Sequence, residues 1–505
     1  MKLKQLCKDI PGLAIRPFKD VEISGITSNS KQVLKNSLFI AKKGKTHDGA
    51  SFIREAVLNG ASVVATDVYD PTLQDVVQLI YPDVNRLLAL LSARYYGAPS
   101  QELWMVAITG TCGKTTTSYA IKHVLEQAYI TCGLIGTIEY MVGRKSYSAT
   151  HTTPDVCENI KLLRQMQLEG CQACVMEVTS HALDQGRVDG IEFDVAVFTN
   201  LTHEHLDYHK TMEEYFTAKS KLFSNLKTEI GSKKGTNVKV ALINSDDPWK
   251  EKCIAATHSE AQIVTFGIER RADIQASEIS FTSRGTNFTV SYQGKSQAFF
   301  WPLVGRFNVY NALAAIGVLL TKGLSLDEIA HHLRSFVCAP GRLDPVVNRL
   351  GVHIFVDYAH KPQALEYVLK TLKEIAERKI IVVFGCGGDR DRQKRPVMGK
   401  IAQDGADYVI VTSDNPRSED PNKIVEEIVS GMQEEGHFEV EVDRKRAIYK
   451  ALCLAEPGDI VLIAGRGHET KQLFSKIFVD FDDKEVAYRV AEELYHKNTI
   501  HMSGR

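Results

Sequence analysis

Residues 104–127 read WMVAIT, GTCGK, TTTSYAIKHVLEQ: an apolar run, a glycine turn, then a helical stretch. This segment restricts the fold more than any other. A glycine turn between a buried strand and a helix belongs to α/β sheets, where backbone N–H groups rotate toward an anion and the helix start adds the positive end of its dipole. Gly110, Thr111, Cys112, Gly113, Lys114, Thr115 and Thr116 make up the turn. Lys114 can reach the β- and γ-phosphates of ATP, and Thr115 can offer a hydroxyl to Mg2+. The spacing is GxxGKT, and Ile108 stands where a full Walker A would carry glycine. A plain glycine turn with a surface lysine is the alternative, and the strand–loop–helix context favours ATP over it.

The flanking pattern supports a parallel sheet. ACVMEV and VAVFTN are continuous apolar runs, as expected of strands buried on both faces. Beyond Val337, HIFVDYA, KIIVVFG, DYVIVTS and DIVLIAG alternate with helical segments and predict another α/β layer. Before Tyr95, short strands (LFIAKK, SVVATD) alternate with helical stretches such as SFIREAVLNG. A chain of 505 residues exceeds one core, and roughly 150 residues per domain suggests three. The tract YYGAPSQE reads as a linker and Val337–Gly341 as a second boundary, giving domains 1–99, 100–336 and 337–505. The expected fold is thus α/β in three domains, a central P-loop-type parallel ATPase flanked by two further α/β layers. The tail after Lys497 reads as frayed.

Composition excludes several classes. With 61 basic against 62 acidic residues there is no broad basic face for nucleic acid. No apolar run approaches the roughly 20 residues of a membrane helix. The start, MKLKQLCKDIPG, lacks the apolar core of a secretory signal. Ten scattered cysteines predict reduced thiols in a cytoplasm, and Cys171 and Cys174 read as buried thiols rather than a redox or zinc pair.

The stretch THEHLDYH, Thr202 to His209, resembles the HxHxDH zinc signature, but Tyr208 separates Asp207 from His209 and alters which side chains share a face. An upstream phosphate loop calls instead for a hard cation with oxygen ligands. Candidates stand at the ends of the buried strands: Glu177, Asn200, then His205.

GTCGKTT, HTTP, EVTSHALDQGR, TNLTHEHLDYH, YFTAKSKLF, GRFNVYNALAA, PGRLD, DYAHKP, FGCGGDRDRQKRP and SDNPRSEDP follow one another in an order that resembles the Mur ligases, most closely the MurE type. The resemblance covers essentially the whole chain. It implies an ATP-dependent amide ligase that adds meso-2,6-diaminopimelate to the D-Glu γ-carboxylate of UDP-N-acetylmuramoyl-L-alanyl-D-glutamate through an acyl phosphate, in cytoplasmic peptidoglycan precursor synthesis. It also implies Mg2+, a monomer, and domain closure to bring three substrates together. The N-terminal domain would bind the UDP-sugar and the C-terminal, Rossmann-like domain the amino acid.

By the same resemblance, Glu177 and His205 look like ligands of one Mg2+ and Thr115 of another. Lys219 matches the lysine carried as a carbamate, also a metal ligand and, with Lys114, Glu177 and His205, catalytic. An ordinary lysine is neutral about once in 2,500 molecules at pH 7, so carbamate formation needs a site that lowers that cost. Asn308, Arg342 and Asp357 match nucleotide contacts. Arg390, Asp414, Asn415, Pro416, Arg417, Gly465 and Glu469 match the diaminopimelate site, with the arginines for carboxylates and Glu469 for the ammonium. Ser28, Ser30, Lys45, Thr46 and His47 match UDP-contacting loops, although SNSK departs from the usual DSR. Thr152, Thr153, Thr179, Gln185 and Arg187 match contacts to the sugar-peptide. Two further departures are Cys112, where asparagine is usual, and Arg466, where lysine is common.

Four rivals bound the reading. A lysine-adding muramyl ligase would differ at SDNPR. A folylpolyglutamate synthase would share the GKT loop but not SDNPR or HTTP. A zinc metallo-hydrolase would use His203, His205 and His209, and a non-catalytic module would bind ATP without turning it over.

Overall fold

The computed structural model describes residues 1–44, 48–228, 238–282 and 284–503. WMVAIT forms the strand Trp104–Thr109, with Met105 to Thr109 all buried. It lies between two parallel neighbours, Ala173–Glu177 (Glu177 beside Ile108) and Val195–Phe198 (Phe198 beside Thr109). Val240–Asn244 and Gln262–Gly267 extend the sheet in parallel on one side. Cys132–Ile135 extends it in parallel on the other, followed by the antiparallel strands Glu139–Val142 and Lys145–Ser148. Helices cover both faces, so the inner strands are apolar throughout rather than alternating. Because the inner strands run the same way, Thr109, Ile135, Glu177, Phe198 and Asn244 all end on one edge, where α/β sheets bind ligands.

The first ninety residues build a second sheet, in the order Ala14–Arg16, Val77–Ile80, Ala61–Thr66, Ser37–Ile40, Gly25–Thr27. The helix Val84–Tyr96 closes this segment. Asp83 caps its start by accepting from the Arg86 N–H at 2.9 Å, and Gly97 ends it in the left-handed region at φ 79°. Its Leu87 and Leu91 share one apolar cluster with Val156, Cys157 and Ile160 of the helix Val156–Leu168. Both sheets therefore belong to one compact unit, Met1–Gln275 with Leu313–Ser325.

The YYGAPSQE tract differs from the expected linker. The helix runs on to Tyr96, Pro99–Gln101 form a 3-10 turn, Pro99 and Ser100 are buried, and the Ser100 hydroxyl accepts from the Glu192 N–H at 3.2 Å. Its Gly, Pro and Ser content serves a tight packed turn here, not mobility.

The second unit comprises Ala276–Ala312 and Leu326–Arg505. Gly285–Tyr292 and Lys295–Trp301 pair as an antiparallel hairpin. A six-stranded sheet follows, ordered Asp344–Val346, His353–Asp357, Ile460–Ala464, Ile380–Phe384, Tyr408–Val411, Phe438–Val440. Only its Asp344–Val346 edge is antiparallel. Leu365, Leu369 and Val382 lie in the core on one face, and Ile381, Ile448 and Val490 in that on the other. The C-terminal helix runs from Asp483 to Ser503, past the point where the sequence reads as frayed.

No helix among the described residues is long and apolar enough to cross a membrane. None of the ten cysteines forms a disulfide, and burial raises the thiols of Cys171 and Cys174.

In the second unit, Arg444 and Asp483 form a fully buried bidentate pair, with Nε and NH2 each 2.7 Å from a carboxylate oxygen. Arg444 also donates to the carbonyls of Ser413 (3.3 Å) and Ala464 (3.0 Å), which fixes the ends of two strands. Removing one partner leaves a buried charge uncompensated, at a cost of about 3–5 kcal/mol. D483A should therefore lower the unfolding free energy of this unit, measured in urea, by that amount, and an unchanged midpoint would refute the pair's role.

Candidate active site

The glycine turn is shaped by its neighbours. Gly110 has φ 152°, and a Cβ there would stand 1.9 Å from Thr199 Oγ1, so no side chain fits. The Thr111 N–H donates to the Asn200 carbonyl (2.9 Å) and the Cys112 N–H to Asn200 Oδ1 (2.9 Å). The Cys112 carbonyl accepts from Thr199 Oγ1 (2.7 Å) and Asn200 Nδ2 (3.2 Å). Gly113 takes φ 89° and opens the helix Lys114–Gln127. Lys114 Nζ donates to the carbonyls of Gly110 (2.8 Å) and Thr111 (3.0 Å), which holds its ammonium inside the turn. Thr116 is buried on the first turn of that helix.

Glu177 is fully buried at its strand end and gathers three segments. Its Oε2 accepts from Thr115 Oγ1 at 3.0 Å and Thr137 Oγ1 at 2.8 Å, and its Oε1 from the Thr137 N–H at 3.1 Å. Its backbone carbonyl accepts from Thr153 Oγ1 at 2.9 Å. Thr152 meets Thr137 hydroxyl to hydroxyl at 3.1 Å. Thr179 caps the helix Ser180–Asp184 by accepting from the Ala182 N–H, and its own N–H donates to Thr153 Oγ1. Arg187 donates to the Thr153 carbonyl (2.9 Å) and holds Gln185 Oε1 with Nε and NH2.

Lys219 is 1 % exposed on the helix Met212–Ser224, and its Nζ donates to the Gly110 carbonyl at 2.9 Å. The amine lies 4.7 Å from the centre of the Tyr215 ring, whose hydroxyl is 3.2 Å from Thr111 Oγ1. Burial, reinforced by the Lys114 charge, drives the Lys219 amine well below the ordinary lysine range.

The THEHLDYH segment divides its histidines among different tasks. His203 is exposed. His205 holds φ 58° ahead of the short helix Leu206–His209, a sparsely populated conformation for a non-glycine residue, and its Nε2 is 3.7 Å from Glu204. His209 is buried with Nε2 2.9 Å from Ser180 Oγ. Tyr208 donates to Asp184 Oδ2 at 2.8 Å. Among the described residues no three His, Cys, Asp or Glu side chains converge on a common point, so the segment builds no three-histidine centre.

Of the UDP-side residues, Ser30 is buried with its hydroxyl donating to Glu55 Oε2 at 2.6 Å, and Ser28 is half-buried on the same loop. Lys45, Thr46 and His47 lie outside the described residues.

In the second unit the SDNPR loop is sewn to two neighbours. Gly388 N–H donates to the Asn415 carbonyl (2.9 Å), and Arg417 NH1 to the Gly388 carbonyl (2.7 Å). Arg417 holds φ 52° and pairs its backbone with Leu473 and Ser475 of a hairpin formed by Lys471–Phe474 and Ile477–Asp480. The same hairpin supplies Leu473 N–H to Asn415 Oδ1 (2.8 Å) and the buried Gln472 amide to Asp414's carbonyl and Ser413 Oγ. Pro416 is buried between these contacts. Asn415 Nδ2 donates to Glu469 Oε2 at 2.7 Å. Gly465 has φ 116°, and a Cβ there would stand 2.7 Å from Asp414 Oδ2. Arg390 is exposed, with NH1 3.4 Å from the Asp389 carbonyl. The buried Arg395 clamps Glu419 with both NH groups at 2.9 Å, pulling that carboxyl down to about 2.

The expected nucleotide contacts of this unit are already engaged internally. Both Asp357 oxygens accept backbone N–H groups, from Leu343 (2.7 Å) and Ala359 (2.8 Å), and burial raises the carboxyl. Asn308 donates to the Val304 carbonyl and accepts from Asn311. Arg342 lies over the Tyr358 ring, 5.0 Å from its centre.

Three descriptions of one family match along the chain: the Mur ligase family catalytic domain over residues 22–96, the Mur ligase middle domain over 108–319, and the Mur ligase glutamate ligase domain over 341–467. Two relatives named UDP-N-acetylmuramoyl-L-alanyl-D-glutamate–2,6-diaminopimelate ligase agree end to end. That of Geobacillus kaustophilus is 42% identical, covering 98% of this chain and 100% of its own. That of Chlamydia abortus is 44% identical, covering 97% and 99%. The chain belongs to the Mur ligase family. A solved structure of a ligase of the same name superposes with a TM-score of 0.71 at 31% identity, covering 98% of this Mur ligase and 99% of its own chain.

Mur ligases use ATP and Mg2+. The donor set of this Mur ligase suits a hard cation, since Thr115 offers a hydroxyl and Glu177 a carboxylate 3.0 Å apart at the start of the phosphate loop's helix. Reading the sequence missed Thr137, Tyr215 and Gln472. Thr137 had a usable signal, standing just beyond the Cys132–Ile135 strand as Glu177 stands at the end of its own. Tyr215 and Gln472 had none, because their partners are remote in sequence.

G110A tests the shape of the loop. It should raise the Kd for ATP at least tenfold in titration calorimetry, because a Cβ cannot coexist with Thr199 Oγ1 unless the loop opens. Unchanged ATP affinity would contradict the geometry.

Proposed function

We propose that this Mur ligase adds meso-2,6-diaminopimelate to the D-Glu γ-carboxylate of UDP-N-acetylmuramoyl-L-alanyl-D-glutamate, with ATP as the energy source, in the cytoplasm. The observation that carries the reading is end-to-end agreement above 40% identity with relatives so named, together with a second-unit loop in which Asn415 holds Glu469 and the charges of Asp414 and Arg417 act on it, a set of groups that complements an amino-acid head. The domains are 1–99 for the UDP-sugar, 100–336 for ATP and 337–505 for the amino acid.

The reaction has two steps. A γ-carboxylate oxygen of D-Glu attacks the γ-phosphorus of ATP, and the bond to the bridging oxygen breaks to release ADP. The amine at the L-centre of diaminopimelate then attacks the acyl phosphate carbonyl. Loss of its proton and departure of phosphate leave the amide. Both steps bring anions together, so the preorganised cations and N–H groups of the loop lower the barrier. Lys114 is the mobile cation: on binding, its ammonium exchanges the Gly110 and Thr111 carbonyls for phosphate oxygens. Thr115, Glu177 and His205 would hold Mg2+, which supplies charge neutralisation of the triphosphate. Thr152, Thr153, Thr179, Gln185 and Arg187 orient the sugar-peptide, and Ser28, Ser30, Lys45, Thr46 and His47 serve its UDP end. Asn308, Arg342 and Asp357 serve the nucleotide.

Lys219 is carried as a carbamate. Burial drives its amine well below the ordinary lysine range, which favours the neutral form that attacks CO2 and loses a proton to give the anion. In 13C-bicarbonate, the wild-type protein should show a carbamate resonance that is absent from K219A, with turnover of K219A down at least a hundredfold. Identical spectra would reject the modification.

Selectivity rests on the Arg417 fork. R417K should reduce the preference for diaminopimelate over lysine at least tenfold, since a point charge cannot pair a carboxylate bidentately. Equal preference in the two proteins would remove Arg417 from the site. K114M should abolish hydroxamate formation from ATP and the sugar-peptide in the presence of hydroxylamine.

A further inference from the structure

Arg466 is a buried cation of the second unit that the reaction above does not use. Its side chain is fully buried, yet Nε and NH1 have no hydrogen-bond partner. A buried guanidinium with unmade bonds is costly, so the contacts it does make bear on what it does. NH2 is the one nitrogen engaged, donating to the carbonyls of Phe481 (2.9 Å) and Glu469 (3.3 Å). The guanidinium lies over the Phe481 ring, 5.3 Å from its centre. The backbone closes the same turn in the opposite sense, since the Glu469 N–H donates to the Arg466 carbonyl at 3.0 Å. The side chain therefore wraps the turn that presents Glu469.

The charges around Glu469 define what that wrapping does. Its carboxylate is anchored by Asn415 and stands among Asp414, Arg417, Tyr358 and Arg466, with the Arg444–Asp483 pair behind. Burial, then the charge of Asp414, push Glu469 above the ordinary carboxylate range, while Asn415, Arg466 and Arg417 oppose this. Losing a cation would push the carboxyl higher still and weaken its pairing with an ammonium group.

We propose that Arg466 is a positioning residue for amino-acid recognition: its buried guanidinium fixes the Glu469 turn and supplies the charge that keeps Glu469 a carboxylate facing the ammonium of diaminopimelate. This rests on the function proposed above. It predicts separable contributions from charge and from clamp. Lysine at 466 keeps the first and weakens the second, whereas methionine or glutamine loses the first.

The test is the Kd of diaminopimelate by titration calorimetry on the full-length protein from pH 5 to 9. A carboxylate raised in the folded protein loses its charge as pH falls through its raised pKa, so wild-type affinity should weaken on the acid side, at a pH above the roughly 4.3 of a free glutamate. In E469Q binding should be weak and flat over the range, which assigns the limb to Glu469. R466M should move the limb up by about one pH unit, the effect of losing one nearby cation. R466K should leave the limb in place with affinity reduced less than tenfold. R466Q, which keeps an N–H donor for the two carbonyls, replaces R466M should the latter not fold. Neutral variants whose limb coincides with wild type would overturn the proposal while leaving the ligase reading intact. A wild type that neither binds nor incorporates diaminopimelate would overturn both.

Discussion

A carboxylate withdrawn from solvent at the end of a parallel strand is tolerable only while donors surround it, and Glu177 meets that condition with groups from three separate stretches. Thr115 comes from the phosphate-loop helix, and Thr137 from beyond a neighbouring strand. Thr153, from the HTTP segment, binds the Glu177 carbonyl. The positions of these segments are thus set by one unfavourable burial and its compensation. Lys219 follows the opposite rule. Its Nζ meets the Gly110 carbonyl at 2.9 Å, Thr109 Oγ1 at 3.5 Å and an aromatic face, and burial drives the amine well below the ordinary lysine range. One buried group gathers hydroxyl and N–H donors around it, and the other is surrounded mainly by groups that favour the neutral amine.

The second unit uses the same principle with arginines. Arg395 ties Glu419 and Glu427 across two helices, and Arg444 ties Asp483 to two strand ends. The residues proposed to meet the amino acid stand on loops, which by themselves would be loose. Their precision comes from the buried ion pairs beneath them and from the backbone pairing of Arg417 with Leu473 and Ser475.

The sheet cores were legible from the residues because strands buried on both faces leave uninterrupted apolar runs, as in WMVAIT and VAVFTN. The phosphate loop was legible because a turn that forbids a Cβ at Gly110 demands glycine. The YYGAPSQE tract was misread because composition reports turn propensity and is silent on packing, and Ser100 is pinned by Glu192 across 92 positions. The THEHLDYH stretch stayed ambiguous for a related reason. Spacing could not reveal that His209 is engaged by Ser180, a residue 29 positions away. Thr137 and Gln472 went unseen because their bonds span 40 and 58 positions. Asp357 and Asn308 were singled out by motif as candidate nucleotide contacts, while their engagement with local backbone and with Asn311 emerges only in three dimensions.

The hairpin formed by Lys471–Phe474 and Ile477–Asp480 carries a lesson for redesign. Asp414, Asn415 and Arg417 each receive a bond from it, through Gln472, Leu473 and Ser475. The loop proposed to meet the amino acid is therefore held by a second stretch of chain more than fifty residues away. Transplanting the short motif alone into a relative with a different hairpin would carry the letters without the frame that holds them, so a graft meant to change the incoming amino acid has to move both pieces together.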